Sequence, residues 1–105
     1  VKVKVSDLHG GLPAMTPLED PSIQAASNAI GKAFGRKTVF MREGGSIPII
    51  TVFQKKLKAP AVLMGLGLNT ENLHSPNEHY GLFNYYKGIE TIPYFYQEFT
   101  KLNKK

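Results

Sequence analysis

Two loops carry the residue types that bind and react. The first, Arg42-Glu43-Gly44-Gly45-Ser46-Ile47-Pro48, sets two glycines and a hydroxyl between apolar runs. Glycine permits φ angles closed to other residues and lets a ligand approach the backbone, and a helix beginning at Ser46 presents unpaired N–H groups at the positive end of its dipole. Backbone amides of Gly45, Ser46 and Ile47, with the Ser46 hydroxyl, could then hold a carboxylate or phosphate. A glycine turn followed by an ordinary serine cap accounts for the same stretch equally well. The second loop, Asn69 to His79, gathers His74, His79, Glu71 and Glu78. His74 is the candidate metal ligand or acid/base, with Asn77 or Glu78 to orient it. The spacing is not that of a whole metal site. There is no His-Glu-x-x-His and no cysteine, and catalytic zinc takes about three protein ligands. His9, in a turn-rich segment, reads as part of a linker.

The elements that must position these loops follow from periodicity. Val1-Lys2-Val3-Lys4-Val5 alternates strictly, which predicts a strand with one buried face. Residues 9–17 are dense in turn formers. Asp20 and Pro21 then supply an N-cap and a first-turn proline. Ile23, Ala26, Ile30 and Ala33 or Phe34 recur at helical spacing until Gly35. Thr38 to Met41 and Pro60 to Met64 read as short strands. Between them, residues 46–58 favour a strand by propensity and a helix by spacing, with Ile50, Phe53 and Leu57 on one face. The helical reading makes Thr38 to Leu63 a parallel βαβ unit whose two loops open at the same carboxyl edge of the sheet. Gly81 to Leu102 forms the last helical element, along which Leu82, Tyr85, Ile89, Ile92, Tyr96 and Phe99 keep a three-four spacing. Pro93 predicts a kink there or two consecutive helices. The aromatics of this element read as core and interface packing rather than as a platform for bases.

Composition bounds the function. The chain of 105 residues suits one domain, and 42% hydrophobic with 20% charged residues is a globular composition. No cysteine means no disulfide framework, which fits a reducing, cytoplasmic setting. No apolar run approaches the roughly 20 residues of a membrane span, and the start is not a signal peptide. A first residue other than Met reads as processing or as a piece of something longer. The net charge of +5 comes with scattered lysine clusters and no arginine cluster, which points to solubility rather than nucleic acid. On these grounds alone, a small stand-alone domain that binds anions without catalysis is an alternative to an enzyme.

The stretches HGGLP (9–13), FGRKTVFMREGGSIPI (34–49), GLGLNTENLHSPNEHY (65–80) and YYKGIE (85–90) resemble, in that order, the carboxyl-terminal part of the co-catalytic zinc aminoacylase, carnosine dipeptidase and desuccinylase family. The resemblance covers nearly the whole chain and is nearest to the cytosolic dipeptidases. It implies an α/β fold, part of a three-layer αβα catalytic domain. Residues 1–19 would be the last strand of a lid and dimerisation domain with the return linker, and residues 20–105 the end of the catalytic domain. It further implies that His74 is a zinc ligand and that Gly44, Gly45 and Ser46 approach the substrate's carboxylate end. The remaining ligands and the general-base glutamate would lie outside this chain. The implied enzyme is a homodimeric hydrolase of dipeptides or N-acyl amino acids. It uses two zinc ions, for which manganese or cobalt could substitute, to acidify a water that attacks an amide carbonyl. Two short parallel strands need further strands beside them, so these residues by themselves should leave apolar surface uncovered.

Overall fold

In the computed structural model, which describes residues 1–8, 10–43 and 47–102, helix α1 spans Pro21–Phe34, α2 spans Ile49–Leu57 and α3 spans Leu82–Leu102, with a 3-10 turn at Asn69–Glu71. Local signals account for α1. Asp20 caps it through Oδ1, which accepts the Ser22 N–H at 2.9 Å, and Pro21 occupies the first turn. Gly35 ends it in the left-handed region at φ 66°, its N–H donating to the Gly31 carbonyl at 2.9 Å. In α2, helical spacing overrides the β-branched composition, and Lys58 closes the helix at φ 51°. The Ser46 cap expected for it falls outside the described residues.

Helices α1 and α3 pack on one another and are the only pair of elements in contact among the described residues. The buried residues of α1 are Ser22, Ala25, Ala26, Ala29 and Ala33, and those of α3 are Asn84, Gly88, Thr91 and Glu98. Both faces are built of small or polar side chains, which let two helices approach. At the margins of this contact Phe34 meets Phe83 edge-on with ring centres 6.1 Å apart. Lys32 and Lys101 each reach Glu98 Oε1 at 2.5 Å.

Three expectations meet different outcomes. First, none of 1–5, 38–41 and 60–64 forms a strand, and no strand occurs among the described residues. The α/β layering is therefore not formed by these residues. A strand exists through its ladder of hydrogen bonds, and these segments have no partner here. Side-chain bonds hold two of them: Thr38 Oγ1 donates to the Ser27 carbonyl at 2.8 Å and Thr16 Oγ1 to that of Ala61 at 2.7 Å, while just beyond 60–64 Asn84 Nδ2 donates to the Leu66 carbonyl at 2.9 Å.

Second, the apolar stripe of α3 is on its outer side. Leu82, Tyr85, Ile89, Ile92, Tyr96 and Phe99 are all exposed, Leu82 by 68% and Ile89 by 56%, while the polar and small stripe faces inward. Third, of the two alternatives expected at Pro93, a kink or two consecutive helices, the division is not formed: Pro93 lies inside one continuous α3.

The only buried apolar residues are four alanines among the described residues. The Cα radius of gyration is 17.1 Å, against about 13 Å for a globular domain of this length. These residues do not enclose a hydrophobic core.

Candidate functional site

His74 sits in the connection between the 3-10 turn and α3. The turn begins as Asn69 follows Leu68, and Asn72 leaves it in the left-handed conformation at φ 55°. Short backbone bonds then fold the loop on itself: Ser75 N–H to the Asn72 carbonyl at 2.9 Å, Glu78 N–H to that of Ser75 at 3.2 Å, and His79 N–H to that of Glu71 at 3.1 Å. Within these turns His74 and Asn77 also adopt positive φ, at 59° and 60°. Asn and His tolerate this conformation better than bulkier or branched residues. The His74 ring lies on the exposed surface.

Of the two partners expected for His74, one serves another histidine through its backbone and the other bonds within the turn. His79 Nδ1 donates to the Asn77 carbonyl at 2.9 Å, which leaves its Nε2 as the ring's acceptor. Glu78 contributes its backbone N–H to the turn and its side chain is exposed. No three His, Cys, Asp or Glu side chains converge on one point among the described residues. The described residues therefore do not by themselves make a metal site.

Gly44, Gly45 and Ser46 lie outside the described residues, so the structure does not test the anion turn itself. Its flank is informative. Gly11 lies against Pro48 so closely that a Cβ added to Gly11 would come 2.4 Å from Pro48 Cβ and 3.2 Å from its Cα. The HGGLP and REGGSIP stretches, distant in sequence, thus meet at the start of α2. A glycine at position 11 is the only trace this contact leaves in the sequence.

Sequence reasoning also passed over Glu71. It is one of few buried residues outside the helices, and its carboxyl is held below the usual carboxylate range by the Gly81 N–H first and the Leu68 N–H second. Hydrogen bonds to the charged form favour ionisation. The sequence signal available was a glutamate two residues after Asn69, the third position of a short turn that a capping box uses.

Comparison with known proteins bears on this arrangement. The profile of Peptidase family M20/M25/M40 matches residues 1–98. The chain is 32% identical over 102 residues to the Beta-Ala-His dipeptidase of Homo sapiens, covering 97% of this chain and 20% of that protein. It is 34% identical over 91 residues to the Cys-Gly metallodipeptidase DUG1 of Candida albicans, covering 87% of this chain and 19% of the relative. The solved structure of the dipeptidase Dug1p from Saccharomyces cerevisiae superposes with a TM-score of 0.82 at 30% identity, over 87% of this chain and 19% of that one. The chain thus spans about a fifth of the length of the relatives it matches.

Proposed function

Because the chain belongs to Peptidase family M20/M25/M40, we propose that it is the carboxyl-terminal segment of a metal-dependent hydrolase of dipeptides or N-acyl amino acids. Residues 1–19 end a lid and dimerisation domain and return to the catalytic domain, which residues 20–105 complete. Segments 38–41 and 60–64 pair there with strands supplied from elsewhere, giving the three-layer αβα arrangement. One observation carries this reading: the family match runs through both the 42–48 and the 68–81 loops. The uncovered apolar stripe of α3 and the exposed Phe53 and Leu57 of α2 support the segment reading over a free-standing domain, since contiguous exposed apolar surface marks an interface.

In this enzyme His74 supplies one imidazole to a two-zinc centre whose other ligands, and whose general base, come from outside these residues. Manganese or cobalt would satisfy the same donors. Gly44, Gly45 and Ser46 receive the substrate's carboxylate. Zinc, when bound, lowers the pKa of a coordinated water to near neutrality. The names of the relatives nominate β-alanyl-histidine and cysteinyl-glycine as the first dipeptides to assay. The cytosol and a homodimer are the proposed setting and assembly.

The test is made on the complete gene product, with its metal content and dipeptide hydrolysis measured before and after chelation. His74→Ala should weaken metal binding and activity by at least about 100-fold, since even residues that only orient a ligand are worth 10–100-fold. A native product of only 11.6 kDa, or a His74→Ala enzyme that keeps metal and rate, would overturn the proposal.

A further inference from the structure

One side chain holds the His74 loop at its base. Glu71 is only 6% exposed. Its Oε2 accepts the Leu68 N–H at 2.8 Å and its Oε1 accepts the Gly81 N–H at 2.7 Å. The first bond is local, half of a capping box on the 3-10 turn. The second is not. It reaches ten residues ahead and joins the chain entering α3 to the chain leaving the 61–68 segment. The slot that receives the carboxylate is open because its walls are glycines. A Cβ at Gly67 would come 3.2 Å from Oε2, and one at Gly81 would come 3.3 Å from Oε1.

Between these two anchors the chain passes through three left-handed residues, Asn72, His74 and Asn77. Each is a conformation that costs free energy for a side chain with a Cβ, and such a run persists where the surroundings over-determine it. Apolar packing does not supply the constraint, since Leu73, beside His74, is exposed. The bonds from the Gly81 and Leu68 N–H groups acidify the carboxyl, so the clamp is charged at neutral pH.

We propose that Glu71 is a positioning residue for the metal site: by tying Leu68 to Gly81 it holds the strained loop in the conformation that presents the His74 imidazole. This rests on His74 being a metal ligand. A glutamate that merely capped the turn would steady residues 68–71 and leave metal binding untouched.

The experiment uses the complete enzyme with Glu71→Ala, Glu71→Gln and His74→Ala. Zinc affinity is measured by competition with a chromogenic chelator, and amide exchange is followed at Leu68 and Gly81 in the metal-free protein. Glu71→Ala should speed exchange at both amides and weaken zinc binding about 10–100-fold. Glu71→Gln keeps the shape and one acceptor and should fall between it and the parent, which keeps the test open should the alanine variant fail to fold. Faster exchange with undiminished zinc affinity would reduce Glu71 to a cap and overturn the proposal, as would unchanged exchange. His74→Ala separates the two readings. If it too leaves zinc affinity intact, the ligand assignment fails and the positioning role with it; if it abolishes binding while the Glu71 variants do not, only the positioning role fails.

Discussion

Gly88 is where the 61–68 segment crosses α3, and a methyl group placed there tests how firmly the two are seated. A Cβ at Gly88 would lie 2.6 Å from Leu66 Cδ1, where ordinary contact begins at about 3.4 Å. Leu66 can turn its side chain, but its backbone is fixed by the Asn84 Nδ2 bond to its carbonyl at 2.9 Å. Overpacking of this kind costs about 1–3 kcal/mol. Replacing a mid-helix glycine by alanine returns up to about 1 kcal/mol of helix propensity. Gly88→Ala should therefore destabilise the complete enzyme by roughly 1 kcal/mol in urea unfolding. The companion Gly31→Ala, whose Cβ would meet only the Arg36 carbonyl oxygen at 3.5 Å, should be neutral or stabilising by up to about 1 kcal/mol. In a Leu66→Ala background the clash is gone, and Gly88→Ala should turn stabilising, a coupling of about 1–3 kcal/mol between the two positions. A Gly88→Ala effect that is the same in both backgrounds would refute the crossing.

Three further outcomes follow from the geometry. Asp20→Ala, which orphans the Ser22 N–H at the start of α1, should cost about 1 kcal/mol in the same unfolding assay. Ile89→Ala should cost about 2–5 kcal/mol in the complete enzyme if the remainder of the catalytic domain covers the α3 stripe; a loss below about 0.5 kcal/mol would show that the stripe stays in water. The Glu98 carboxyl is lowered to about 2 by its hydrogen bonds from Lys101 and then Lys32. A depressed carboxyl contributes stability above its ordinary range and loses it as the pH falls towards the folded value. The stability gap between the parent and Glu98→Gln should hold at neutral pH and narrow steadily as the pH drops below about 4.5. A gap independent of pH would dissociate Glu98 from both lysines.

How much of this was legible in the sequence depended on the range of the interaction that decides each element. The Asp20 cap, Pro21 and Gly35 act within one or two turns, so α1 could be bounded from its residues alone. The spacing of Ile50, Phe53 and Leu57 favoured a helix for α2 against its own β-branched composition, and the structure decided between the two. The same periodicity located α3 without saying which of its sides faces α1. A three-four stripe says that one side is apolar, not which partner covers it, and here the buried side of α3 is the one that carries Asn84, Gly88, Thr91 and Glu98. The alternating segment 1–5 and the apolar segments 38–41 and 60–64 read as strands, yet pairing needs a second strand that the described residues do not supply.

For the site, residue types and order were enough to single out Gly44, Gly45, Ser46 and His74 and to join them to a peptidase family whose profile runs through both loops. The chemistry-bearing residue types are written in the sequence. The clamp from Glu71 to Gly81 and the seat of Gly11 on Pro48 were not. Both join segments remote in sequence through contacts of one carboxylate or one missing Cβ, and only the tertiary structure decides which remote segments meet, because long-range packing is set by the whole chain's geometry rather than by any local pattern.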